Sequence, residues 1–213
     1  DSFTVTTVDG TEETVTITIT GENDAAVITG EKTIGVTEDA GPKLTATGEL
    51  DVTDADTGEA SFQAQDGTVG SYGSFYLAPY GVWIYAADNT QAAIQALGEG
   101  ETLTDSFTVT TVDGTEETVT ITITGENDAA VITGEKTIGV TEDAGPKLTA
   151  TGELDVTDAD TGEASFQAQD GTVGSYGSFY LAPYGVWIYA ADNTQAAIQA
   201  LGEGETLTDS FTV

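Results

Sequence analysis

The segment Thr118-Val119-Thr120-Ile121-Thr122-Ile123-Thr124 alternates without a break. Val119, Ile121 and Ile123 fall on one face and the threonines on the other, which is the period of a half-buried strand. Its β-branched residues, stiff at χ1, suit a pleated strand far better than a helix. Ahead of it runs Leu103-Thr104-Asp105-Ser106-Phe107-Thr108-Val109, with Leu103, Phe107 and Val109 inward. Val112-Asp113-Gly114-Thr115 joins the two, and Asp-Gly between alternating segments is a strong hairpin signal. Outward from this hairpin, starting at Ala25, the same alternation predicts strands near 26–29, 33–37, 43–52, 60–65, 73–78, 82–87, 103–112 and 116–124. Turns are expected at Asp39-Ala40-Gly41-Pro42, Asp66-Gly67 and Ala78-Pro79-Tyr80-Gly81. Only Gln91 to Leu97 reads as helical, with Ala93, Ile94 and Leu97 at helical spacing behind an Asp88 or Asn89 cap. About seven or eight short strands in roughly 100 residues predict an all-β, immunoglobulin-like Greek-key sandwich with one short helical turn. Its expected core is Trp83, Tyr85, Phe62, Phe75, Phe107 and the Val/Ile rows.

Residues 1–109 recur unchanged as residues 105–213, a tandem period of 104 residues. The polar stretch Gly21-Glu22-Asn23-Asp24, repeated as Gly125-Glu126-Asn127-Asp128, follows the hairpin and precedes a new apolar run. Placing the seam there divides the chain into residues 1–24, the last hairpin of a preceding repeat; 25–128, one complete sandwich; and 129–213, a following repeat lacking its last hairpin. The start at Asp1 and the lack of methionine read as a piece of a longer chain.

Acids outnumber bases 37 to 4, a net charge of −33. The bases are lysines 32, 43, 136 and 147. That balance excludes a phosphate-gripping nucleic-acid binder and disfavours docking on anionic lipid. No apolar run reaches the roughly 18 residues of a spanning helix. Cysteine and histidine are absent, which excludes zinc, iron–sulfur and haem ligation and nucleophile–histidine catalysis.

The carboxylates gather at strand ends. In an immunoglobulin-like topology Asp54, Asp56, the Asp113 turn and the N-terminal seam lie at one pole. Glu38, Glu99, Glu101 and the C-terminal seam lie at the other. Stacked repeats bring the two poles together. The expected ligands are Asn23, Asp24, Glu38, Asp54, Asp56, Glu99, Glu101, Asp113, Glu126, Asn127 and Asp128, with Glu142, Asp158, Asp160, Glu203 and Glu205 from the second copy. Carboxylates and amide oxygens without nitrogen or sulfur suit Ca2+, which takes six to eight oxygens from flexible loops, better than Mg2+. The competing reading is plain solvated charge. Asp51, Glu59, Asp66, Glu12 and Glu13 are taken as such.

These residues carry a family resemblance. Val52-Thr53-Asp54-Ala55-Asp56-Thr57-Gly58-Glu59 resembles the cadherin segment with its upper Asp-x-Asp ligands, and Val36-Thr37-Glu38-Asp39 resembles the cadherin first-strand glutamate. Glu99-Gly100-Glu101 and Asp113-Gly114 stand where cadherins carry further ligands. Gly125-Glu126-Asn127-Asp128 is similar to the cadherin linker, with Gly125 replacing its first aspartate. A closer likeness is to the bacterial VCBS and RTX-adhesin extender repeat. It runs through Gly73-Ser74-Phe75, Val82-Trp83-Ile84-Tyr85, Asp88-Asn89 and Ala96-Leu97-Gly98-Glu99-Gly100-Glu101, then Thr102 to Val109 and the seam. The resemblance implies a calcium-rigidified spacer of a large Gram-negative surface adhesin, extracellular, exported by a type I system and active in cell adhesion and biofilm.

Carboxylate pairs can do acid–base chemistry on a sugar, but no cleft or raised pKa is legible, so no enzyme is expected. The alternative to a spacer is a ligand-binding module. Trp83, Tyr72, Tyr76, Tyr80 and Tyr85 offer a carbohydrate platform, and the row Thr118, Thr120, Thr122, Thr124 with Thr108 and Thr110 an ice-binding one. Alternation favours a core role for Trp83 and Tyr85, leaving Tyr72 and Tyr80 at turns. The expected partners are identical repeats, head to tail. Residues 1–24 supply the hairpin that 129–213 lack, so one chain is expected to insert it into the next.

Overall fold

The threonine-rich alternation folds mostly as strands. A computed structural model describes residues 1–213. It is all-β apart from α1 (Ala196–Gln199). The strands are β1 (Ser2–Thr6), β2 (Glu12–Thr16), β3 (Val27–Gly30), β4 (Thr33–Thr37), β5 (Lys43–Thr53), β6 (Gln65–Val69), β7 (Gly73–Leu77), β8 (Val82–Asp88), β9 (Thr102–Thr110), β10 (Glu116–Thr124), β11 (Val131–Gly134), β12 (Lys147–Thr157), β13 (Gln169–Val173), β14 (Gly177–Leu181) and β15 (Val186–Asp192). They form sheets in the orders β1-β2, β3-β5-β8-β7-β6, β4-β10-β9 and β11-β12-β15-β14-β13. The chain resolves into two units, one of residues 1–34, 45–87 and 105–121, the other of 35–44, 88–104 and 122–213. Residues 25–128, the repeat read from the sequence, contribute to both.

In the first unit the inward positions of alternating strands make one aromatic core. Phe75 stacks on Phe107 at 4.8 Å between ring centroids, with Trp83 5.6 Å from Phe75 and Tyr85 5.9 Å from Phe107. Phe62, Leu50, Val109, Val119 and Ile121 are buried with them. The Trp83 indole N–H donates to the Glu31 carbonyl at 3.1 Å, so its one polar atom is satisfied. Gly81 is required where it stands: its φ is +96° and a Cβ there would lie 1.8 Å from the Leu50 carbonyl oxygen. Hairpin β1-β2 pairs Phe3 with Val15 and Ser2 with Thr16, but every one of its residues is exposed.

The second unit contains the five-stranded sheet of the second copy. Phe179, Trp187, Phe166, Leu154 and Leu181 form its main cluster, and Leu148, Ala191 and Ile198 a smaller one. Residues 137–141, identical in sequence to β4, form no strand here, and Ile138 and Val140 are exposed.

Two expectations need correction. The strand placed at 60–65 is only an isolated bridge between Phe62 and Thr111. The ladder instead runs through the expected Asp66-Gly67 turn as β6, because Gly67, at φ +77°, absorbs a bulge between Asp66 and Thr68. The expected helix at 91–97 is a run of turns, and its repeat forms α1 with no side-chain cap. The Asp88 carboxylate holds the Thr90 N–H and hydroxyl instead, a local turn that competes with capping.

Candidate metal centre

Each copy of Asp-Ala-Asp-Thr-Gly-Glu follows the end of a long strand, β5 or β12, where the chain turns away from the sheet. In the first unit Asp54, Asp56 and Glu59 bring one carboxylate oxygen each within 4.8 Å of one another. The backbone freezes this arrangement: Asp56 N–H donates to Asp54 Oδ1 at 2.7 Å, and Asp24 N–H donates to Asp56 Oδ2 at 2.8 Å. The Ala26 N–H donates to Asp113 Oδ2 at 3.0 Å, tying the hairpin turn to the same seam. Asp113 also accepts the Thr111 and Thr115 hydroxyls, and these bonds hold its carboxyl well below the usual range. Asp54 Oδ2 and Glu59 Oε2 are buried and have no hydrogen-bond partner. Burial first, and then the charges of Asp56, Asp54 and Asp113, push the Glu59 carboxyl up. A recess of about 420 Å³ opens beside Asp24 and Asp54.

In the second unit the other pole is built the same way. Asp158, Asp160 and Glu163 repeat the three-carboxylate cluster. Asp160 N–H donates to Asp158 Oδ1 at 3.0 Å, and Asp128 N–H to Asp160 Oδ2 at 2.8 Å. Glu38, only 1% exposed, accepts the Glu126 N–H at 2.9 Å through Oε1. Its Oε2 has no partner, and neither does Oδ1 of Asp160, which is 2% exposed. Burial raises the Glu38 pKa above its ordinary value; the Glu126 N–H opposes this, and the charges of Asp39, Asp128 and Asp160 add to it. Asp128 is raised by burial and then by Asp39, Asp160 and Asp158. Anionic oxygens buried beside one another without donors are costly. A hard cation is the partner such a set fits.

The remaining expected ligands are placed less tightly. Glu101 Oε2 accepts the Gly98 N–H at 3.2 Å, and its backbone carbonyl accepts the Gly125 N–H at 2.9 Å. Glu99, Glu126 and Asn127 are exposed at this pole, and the Asn127 amide donates to the Asp128 carbonyl. Asn23 is exposed and makes the same bond to Asp24. Glu203 and Glu205 are exposed and Glu142 half-buried, and no cluster forms around them.

Sequence reasoning missed three residues. Glu59, set aside as surface charge, and its copy Glu163, not singled out, complete the clusters; the spacing Asp-x-Asp-x-x-Glu was the available signal. Asp105 read as a strand residue, yet it is 1% exposed and accepts the N–H groups of Ser71, Tyr72 and Gly73 and the Tyr85 hydroxyl. A polar residue at an inward-facing position was its only trace. Trp83 and Tyr85, expected in the core rather than on a carbohydrate platform, are fully buried.

No curated protein matches the chain. Among solved structures, a protein of unknown function from Porphyromonas gingivalis W83 is 10% identical, with a TM-score of 0.32 over 78% of this chain and 83% of that one. The human desmocollin-1 ectodomain is 15% identical, with a TM-score of 0.38 over 98% of this chain. The chain spans 46% of that ectodomain's length. Cadherin-like domains are extracellular, non-enzymatic adhesion modules that generally bind calcium. Residues 23–125 match the model of the bacterial cadherin-like domain, and residues 127–213 repeat residues 23–109 unchanged.

Proposed function

We propose that this chain is a calcium-stiffened spacer of a bacterial surface adhesin, an extender repeat of the VCBS and RTX type. The observation that carries the reading is the pair of buried, donorless oxygens, Glu38 Oε2 and Asp160 Oδ1, set among Asp39, Asp128 and Asp158. Glu38, Asp128, Asp158, Asp160 and Glu163 would hold the ion at one seam, and Asp54, Asp56, Glu59 and Asp24 at the other. Bound calcium supplies positive charge where the fold has gathered negative charge, so the linker becomes stable in one conformation. Ligand that binds only the folded chain stabilises it by mass action. Thermal melts in millimolar calcium and in excess chelator test this. A clear rise in melting temperature with calcium, larger than with equal magnesium, is expected, and an unchanged temperature overturns the reading.

A second reading, a glycan-binding module, has one observation in its favour. Tyr76, Tyr80, Val82 and Ile84 line an open recess of about 260 Å³ with Gln65 at its edge, and Tyr80 is 75% exposed. Binding on a glycan array that is lost in Tyr80→Ala would support this reading over the spacer.

A further inference from the structure

We infer that Gly125 is the positioning residue of the seam: it lets the linker lie directly on the loop 97–101, and this backbone latch sets where the loop 158–163 sits before any cation binds. All of these residues belong to the second unit. The calcium reading concerns the same seam, but the latch does not depend on it.

Gly125 stands where the linker leaves β10, at the place of the first aspartate in the cadherin-like pattern. Space explains why no aspartate stands there. Gly125 is buried. A Cβ on it would lie 2.5 Å from both the Gly98 carbonyl oxygen and the Leu97 Cβ, and 2.6 Å from the Leu97 carbonyl oxygen. All three atoms are fixed by the backbone, so no flexible side chain can give way. In the space left free, the Gly125 N–H donates to the Glu101 carbonyl at 2.9 Å, and the Gly100 N–H donates to the Gly125 carbonyl at 3.1 Å. The residues on either side are held as well. The Glu38 N–H donates to the Thr124 carbonyl at 3.0 Å, and the Glu126 N–H to Glu38 Oε1 at 2.9 Å.

The loop that receives the linker is itself preset. Ile94 is fully buried and Leu97 nearly so. The Glu101 N–H donates to the Gly98 carbonyl at 2.9 Å, and Glu101 Oε2 accepts the Gly98 N–H. The same stretch of chain also meets the following copy. The Thr161 N–H donates to the Ala96 carbonyl at 3.2 Å, and a Cβ on Gly98 would come within 3.3 Å of Glu163 Oε1. Residues 96–101 therefore touch the linker and the loop 158–163 at once. A side chain at position 125 would lift the linker off this surface and carry the 158–163 loop away with it. None of these bonds uses Glu38 Oε2 or Asp160 Oδ1, the oxygens left without donors. The latch thus orders the carboxylates in advance, and ordering done beforehand is not charged to the binding of an ion.

Amide hydrogen exchange followed by NMR on the full chain, in excess chelator, tests this apart from any bound cation. In the wild type the Gly125 and Thr161 amides should exchange about tenfold or more slowly than in an unstructured chain. Gly125→Ala should return Thr161 to nearly the unstructured rate while the amides of β8 and β15 keep theirs. Gly125→Asp should do the same, although it restores the aspartate of the cadherin-like pattern. Gly35→Ala, whose Cβ would meet only the Thr122 carbonyl oxygen at 3.9 Å, should leave Thr161 protected. A wild-type Thr161 amide that exchanges at the unstructured rate in chelator overturns the inference. Protection of Thr161 that survives Gly125→Ala overturns it too. The calcium reading stands or falls separately, on the melting temperature with and without calcium.

Discussion

Asp105 shows how one side chain fixes a turn. Its carboxylate collects three consecutive N–H groups and a tyrosine hydroxyl inside the core, and the Tyr85 hydroxyl is correspondingly held protonated well above the usual phenol range, by burial first and then by this bond. In the second copy burial alone would raise Asp209, but the bonds from Tyr176, Tyr189, Ser175 and Gly177 outweigh it and hold the carboxyl low. Asp105→Asn keeps the shape but loses the charge-assisted bonds, so urea unfolding should show a loss of about 2–4 kcal/mol. Glu38 and Asp128 work the other way. A carboxyl whose folded pKa lies above its unfolded value binds a proton more tightly when folded, so it adds stability as pH falls. In calcium-free buffer the melting temperature should therefore rise as pH drops through the raised pKa values toward 4.5 for Glu38 and 3.8 for Asp128. It should fall again below that, where Asp113 and Asp209 lose their bonds. Bound calcium takes the proton's place, so saturating calcium should flatten the rise; a melting temperature that only falls on acidification would contradict this.

At the scale of elements, identical segments adopt different states. Thr33–Thr37 is a strand in the sheet β4-β10-β9, whereas 137–141 is irregular and exposed. A peptide from this region has one mass whichever copy it comes from. Hydrogen exchange followed by mass spectrometry should therefore give it a two-population envelope of equal halves, one protected and one exchanged. A single envelope would contradict the difference. Strand existence and facing were legible from alternation: β5, β8 and β10 bury the residues that the pattern placed inward. The path of β6 was not, because Asp66-Gly67 is a good turn dipeptide and also a good bulge. Only pairing with β7 decides between them. Gly81→Ala should destabilise the β7–β8 turn severely, since the new Cβ meets backbone rather than a flexible side chain. A melting temperature within a degree or so of wild type would contradict that close approach.

For the whole molecule, a net charge of −33 resists folding by self-repulsion, and the seams are where that repulsion is concentrated. Calcium should protect the seam from cleavage after Glu126 by a glutamate-specific protease, and Asp158→Ala/Asp160→Ala should abolish this protection. Protection that persists in the double variant would place the ion elsewhere.

The sequence alone determined the period of 104 residues, most strands and their inward faces, the hairpin at Asp113-Gly114 and the clustering of acids along the chain, since these follow from side-chain chemistry and spacing along the chain. It could not determine which copy of a segment is buried. Phe3 and Phe107 share every near neighbour in sequence, yet one is 53% exposed and the other 3%. That difference is set by whether a sheet lies across from the residue. The same limit applies to Glu38 and Glu142, one buried with an unpartnered oxygen, the other half-buried and outside any cluster. A carboxylate becomes a candidate ligand only when the fold removes water from it and brings other carboxylates near. Both conditions depend on residues distant in the chain.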